Sequence, residues 1–206
     1  MFVPRLHRPE FLAPLQAEWK RGGSVRVEPL LLEAHAARFL AALRSVEHVP
    51  MQRFDAKEGF QAWRFGWVPG TDDCDHPLCI LGRWLTSDGL KWVSALTERD
   101  LMPAPDPTLI SDCAAKASFF EAYNDASAGR AVALRLHLTP TMWPAEWGGH
   151  LELLDGPEGA VVDRRAPAWN TLDLFDVRGP AAWRRLPLIQ KHLEGYTISA
   201  WFHEAA

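Results

Sequence analysis

The segment DDCDHPLC, Asp72 to Cys79, brings Cys74, Asp75, His76 and Cys79 close together in sequence. Thiolate, imidazole and carboxylate donors at such density are zinc-ligand types. Structural zinc sites use paired Cys-x-x-Cys hooks or their Cys/His equivalents, and here no second pair exists. The segment is therefore read as a polar loop between a strand and a helix. Nucleophilic chemistry has less support, because the chain holds no Gly-x-Ser-x-Gly elbow and no phosphate-cradling glycine loop. Cys113 has no distinctive setting. His137 lies in an apolar strand beside Arg135, and His150 follows Gly148 and Gly149. Either histidine suits the wall of a pocket, although a strand histidine more often completes a local hydrogen bond. Glu152 and Asp155 fall at a strand end, where a solvated face accounts for them.

The elements that must position these groups follow from periodicity. PLLLEAHAARFLAALRSV, Pro29 to Val46, predicts a helix with Leu32, Ala36, Phe39, Leu43 and Val46 on one face. A second helix is expected after LTSDG, with Thr86 or Ser87 as cap and Leu90, Val93 and Leu96 inward. FQAWRFGWVPG between them alternates as a strand, with Trp63, Phe65 and Trp67 on one face. After Met102 the proline-rich MPAPDPTLISD reads as a loop. Beyond it, SFFEAY, RAVALRLHLT, HLELLD, AVVDRR, NTLDLFDV and YTISAWF read as short strands without intervening helices. Helices first and antiparallel strands second predict an α+β unit with helices packed on a sandwich or barrel.

Composition narrows the function classes. With 206 residues, 48% apolar and 23% charged, the chain can bury a sizeable core. A net charge of -4 argues against coating nucleic acid. No apolar run reaches membrane-spanning length, and prolines and charges interrupt the N-terminus where a signal peptide needs apolar residues. A cytoplasmic location is expected. Three cysteines, an odd and sparse set, argue against a disulfide framework. The ten tryptophans suggest an aromatic core or an aromatic-lined cavity.

Three segments in order carry a resemblance: GRAVALRLHLTPTMWPAEWGGHLELLD, APAWNTLDLFDV and YTISAWF. The arginine-led strand, the tryptophan before a Gly-Gly-x-Leu strand, the Asn-x-Leu-x-x-Phe strand and the closing Ile-Ser-Ala-Trp strand are similar to the iron(II)- and 2-oxoglutarate-dependent dioxygenases, in their prolyl-hydroxylase-like branch. The resemblance implies a mainly β, α+β fold: a double-stranded β-helix, or cupin-like jelly roll, with N-terminal helices packed on the sheet. It implies one domain over 1–206, with a helix-rich segment at 1–102 and the β-helix core at 103–206. In that fold the glycine pair lets a loop turn closely into a core strand.

The same resemblance sets expectations for the site. The family holds iron(II) with a His-x-Asp pair and a distal histidine. Here the pair falls on YND, so Tyr123 stands for the histidine and Asp125 remains; the distal position falls on Trp183. The arginine that binds the cosubstrate carboxylate falls on Gly195, with Lys191 and Arg185 the nearest basic residues in sequence. The implied site is a vestigial pocket of Tyr123, Asp125, Trp183 and Gly195, lined by Arg130, Arg135, His137 and His150, with Tyr123, Asp125 and Trp183 converging. The expected protein uses no cofactor and is a binding or regulatory module rather than an active dioxygenase. Its partner is a protein or a small-molecule ligand, with neither nucleic acid nor membrane, and homo-oligomers are compatible with the sequence. The alternative is an oxygenase using iron(II) and 2-oxoglutarate at an atypical site, with Asp125 joined by His137, His150 or Tyr123.

Overall fold

The computed structural model describes residues 1–47, 49–54, 58–67, 75–103, 109–114, 116–126, 129–140, 142–179, 182–191 and 195–204. Within them lie helices α1 (Pro9–Gly22), α2 (Glu33–Ser45), α3 (Pro77–Leu85) and α4 (Asp88–Thr97). The strands are β1 (Ser24–Val27), β2 (Val49–Phe54), β3 (Glu58–Trp67), β4 (Leu101–Pro103), β5 (Leu109–Ala114) and β6 (Phe119–Tyr123). They continue as β7 (Arg130–Leu138), β8 (Leu151–Leu154), β9 (Val161–Arg165), β10 (Thr171–Asp176), β11 (Trp183–Leu186) and β12 (Tyr196–Glu204).

Every pairing among these strands is antiparallel, in the order β1-β10-β7-β12-β5-β3-β6-β11-β8-β9, with β2 on β3 and β4 on β12. This is the mainly β, jelly-roll arrangement with helices that the sequence predicts. The N-terminal half contributes more strand than its pattern suggested. β1 pairs β10, and β3 joins β5 to β6, so the helix-rich segment is woven into the sheet. Part of the proline-rich stretch also pairs, as β4 and β5.

Side-chain alternation gives the central strands two apolar faces. Leu134 and Leu136 of β7, Leu172 and Leu174 of β10, and Ile198 and Phe202 of β12 pack with Ala36, Phe39, Leu43, Leu81, Val93 and Leu96 of the helices. Such buried side chains each contribute about 1.5–3 kcal/mol. The opposite face carries Ala133, Leu151, Leu153, Phe175 and Val177, with Trp201 against them. All six residues of β10 are buried, as expected of a strand covered on both sides.

α2 starts later than its periodicity predicts, and Asn170 is the reason. Leu30 N–H donates to the Asn170 carbonyl at 3.0 Å, and Leu31 N–H donates to Asn170 Oδ1 at 2.8 Å. Asn170 Nδ2 donates back to the Leu31 carbonyl at 2.7 Å. Backbone groups that a helix would need are thus committed to the loop before β10.

The loop expected after Asp75 is instead α3. Pro77 occupies its first turn, and His76 Nδ1 accepts from Leu78 N–H at 3.3 Å. Cys79 is disulfide-bonded, although the odd and sparse cysteine count argued against a disulfide framework. Asp72 and Cys74 lie outside the described residues, as do the side chains of Trp63, Phe65, Trp67 and Cys113. No described helix is long and apolar enough to cross a membrane.

Candidate functional site

The loop-to-strand turn at Gly148 and Gly149 bounds one end of the barrel. Gly148 has φ +66°, and a Cβ there would lie 1.9 Å from the Leu188 carbonyl oxygen. Gly149, at φ +69°, places its N–H on the Pro187 carbonyl at 3.2 Å. Trp143 covers the turn, donating its indole N–H to the Gly148 carbonyl at 2.6 Å. Close backbone approach requires glycine here, which ties the start of β8 to the end of β11.

Inside the barrel, β6 and β11 pair with Arg184 opposite Tyr123. Arg184 is fully buried and forms an ion pair with Asp125, whose side chain is 16% exposed. Its guanidinium lies 4.7 Å from the Phe175 ring centroid and 5.6 Å from that of Tyr123. Arg135, on the inward face of β7, donates to the Tyr123 hydroxyl at 2.7 Å. Tyr123, Asp125, Arg135 and Arg184 therefore form one connected cluster. Trp183 pairs with Leu154, and strand alternation turns it to the outer face. The residue that meets Asp125 is its neighbour, Arg184.

The other expected residues are dispersed. Arg130 stacks its guanidinium 4.0 Å over Trp201. Gly195 lies against Thr139, where a Cβ would come within 2.7 Å of Thr139 Oγ1. His150 is half-buried between the glycine pair and β8. Lys191 sits 5.8 Å over the Trp147 ring. Arg185 is held at Glu152, with Nη2 to Oε2 at 2.6 Å. Among the described residues, no three His, Cys, Asp or Glu side chains form a group able to hold a metal. The His-x-Glu spacing also occurs at His150–Glu152 and His192–Glu194. Glu152 is committed to Arg164 and Arg185, and its carboxyl is shifted down: burial raises it, but those two arginines outweigh that. His192 and Glu194 lie outside the described residues.

His137 belongs to a second cluster, centred on Asp173 of β10. Asp173 is fully buried and accepts four hydrogen bonds. Arg26 of β1 grips it with two, Nε to Oδ1 at 2.8 Å and Nη2 to Oδ2 at 2.7 Å. Arg165 of β9 adds Nη1 to Oδ1 at 3.0 Å, and His137 Nε2 lies 3.1 Å from Oδ2. Burial alone would raise the Asp173 pKa, but hydrogen bonds from Arg26 and His137, with the charge of Arg26, hold it far below the carboxylate range. Burial pushes His137 down despite Asp173, so the imidazole is neutral near pH 7. Its Nε2 then carries the proton and donates to Asp173, while Nδ1 accepts from the Thr197 hydroxyl at 3.2 Å.

Sequence reading missed Arg184, Arg26, Arg165 and Asp173. For Arg184, Arg26 and Asp173 the signal was present as charges within the strands WRRL, SVRV and TLDLFD, whereas Arg165 lies in the mostly charged VVDRR and gave none.

Residues 110–203 match the family model of the 2OG-Fe(II) oxygenase superfamily. No curated protein matches the chain in sequence. Among solved structures, the oxygenase fold is shared with a prolyl hydroxylase from Trichoplax adhaerens, seen with a hypoxia-inducible-factor peptide: TM-score 0.70 and 16% identity, covering 95% of this chain and 90% of that one. A Pseudomonas putida prolyl-4-hydroxylase matches with TM-score 0.65 and 17% identity, over 95% of this chain and 100% of that one. A 2OG-Fe(II) oxygenase-family oxidoreductase from Burkholderia pseudomallei matches with TM-score 0.68 and 15% identity, over 93% and 90%. The resemblance read from the three sequence segments is thus supported at the level of superfamily and fold.

Proposed function

We propose that this prolyl-hydroxylase-like oxygenase fold has lost its metal and cosubstrate site and serves as a binding or regulatory module for a protein or small-molecule partner. One observation carries the reading: Asp125, the surviving carboxylate of the expected triad, is already paired with a fully buried cation, Arg184. A guanidinium keeps its proton in proteins and offers no lone pair, so it cannot ligate iron. The Tyr123 phenol, where an imidazole would stand, is engaged by Arg135. The residues present do not fit iron(II), which relies on neutral imidazole and free carboxylate donors. At the cosubstrate end, Gly195 supplies no cation, and Thr139 occupies the space a side chain would enter. His137, the nearest imidazole in the sequence reading, has both ring nitrogens committed.

The test is anaerobic iron(II) titration with elemental analysis, followed by a succinate-release assay. The expected result is neither stoichiometric iron nor turnover. Stoichiometric iron, with turnover abolished in Asp125→Ala, overturns the proposal. Tyr123→His combined with Arg184→His should gain more iron affinity than Tyr123→His combined with Trp183→His, because position 184 faces inward.

A further inference from the structure

The main strand order begins at β1 and ends at β9, with no ladder between these two edges among the described residues. Side chains join these edges reciprocally. Arg165, the last residue of β9, donates Nη1 to the Val25 carbonyl at 3.2 Å and Nη2 to Ser24 Oγ at 2.9 Å, both on β1. Arg26, on β1, donates Nη2 to the carbonyl of Ala166, just past β9, at 3.0 Å. Both guanidinium groups turn inward onto one carboxylate, Asp173, which His137 also reaches from β7.

The donor set is that of carboxylate recognition: a planar fork, a second guanidinium N–H and a neutral imidazole N–H. All four bonds fall on the two oxygens of one group with no exposed surface, leaving no place for water. Two guanidinium groups face this single buried anion; Asp163, on Arg165 Nε at 3.0 Å, is 49% exposed. The site is thus built for a carboxylate whatever its covalent attachment. We infer that Arg26, Arg165 and His137 form a carboxylate-binding site that the chain fills with its own Asp173, and that this internal ligand closes the barrel along the β1–β9 seam. The class of free ligand that fits is a small monocarboxylate, formate being the group that Asp173→Ala removes.

The inference does not depend on the fate of the iron site, and its test uses no iron. Asp173→Ala is melted in chloride, in formate and in formamide, beside the wild-type protein. Formate should raise the variant's melting temperature by several degrees, saturably, while formamide and chloride should not, and the wild type should stay unmoved. If Asp173→Ala fails to fold in chloride, refolding from urea with formate should recover soluble protein. In the triple variant Arg26→Met, Arg165→Met, Asp173→Ala, formate should have no effect. Equal responses of Asp173→Ala to formate and chloride, no recovery on refolding, or rescue persisting in the triple variant would overturn the inference.

Discussion

Deleting one partner of the Arg184–Asp125 pair tests whether that contact organises the interior. Arg184→Met keeps a long unbranched side chain over Phe175 and removes the charge. Removing one member of a fully buried ion pair costs about 3–5 kcal/mol, mostly because the other charge is stranded. Asp125 keeps 16% of its side-chain surface exposed, so water recovers part of that cost. Loss of the guanidinium from the two aromatic faces adds about 0.5–1 kcal/mol per ring. The expected destabilisation is about 3–5 kcal/mol in all. Asp125→Asn strands the guanidinium instead, and Arg184 has no exposed surface through which water could help.

Urea unfolding of the wild type, both single variants and the double variant gives the coupling energy directly. A value of about 1.5–3 kcal/mol is expected for residues in direct contact. Salt should leave it largely intact, since buried pairs are screened weakly. Coupling below about 0.5 kcal/mol would show the two charges to be independent and refute the reasoning.

Gly148→Ala should lower stability by about 2–4 kcal/mol, combining backbone strain at a positive φ with displacement of the Leu188 carbonyl. Gly156, where a Cβ meets nothing within 4 Å, is the control, and its alanine variant should melt within a few degrees of wild type; equal melts for the two variants would discount the close approach. The second prediction concerns pH. Asp173 and His137 both have depressed folded-state values, so the unfolded chain binds the extra protons and stability falls with acid. The His137 contribution is full above its unfolded value of about 6.5 and is lost below it. That of Asp173 is full above its unfolded value of about 3.9 and is lost below it. Urea midpoints from pH 7 to 3 should therefore decline, with a shallower fall between pH 6.5 and 5 in His137→Gln. An unchanged slope in that window would discount the buried neutral imidazole.

The strands of the second half were legible because their alternation is strong and their turns are marked by Gly, Pro, Asp and Asn. NTLDLFDV and RAVALRLHL became β10 and β7 as read. β1 was illegible: SVRV is too short for periodicity, and it becomes a strand through pairing with β10. α3 was hidden by its polar approach, since DDCDH looks like a loop until His76 caps the following turn. The start of α2 was misplaced because Asn170 claims Leu31 from 139 positions away, and Leu30 beside it, a contact no local pattern records. Tyr123 and Asp125 came from the family resemblance, whereas Arg184 required knowing which face of β11 points inward. A one-residue difference in a strand reverses that face.

The two ionic clusters bear on function through one constraint. A buried charge is tolerable only when paired, so the fully buried Arg184 needs a carboxylate beside it. Asp125 is placed to be that carboxylate, and Asp173 answers Arg26 and Arg165 in the same way. Each cluster balances its carboxylate with the chain's own guanidinium groups. Under the function proposed above, this internal pairing leaves recognition to the outer surface and loops. It also sets the order in which chemistry could return. Histidine at position 123 alone would face a carboxylate still held by Arg184, so the cation at 184 has to leave before any metal can compete for Asp125.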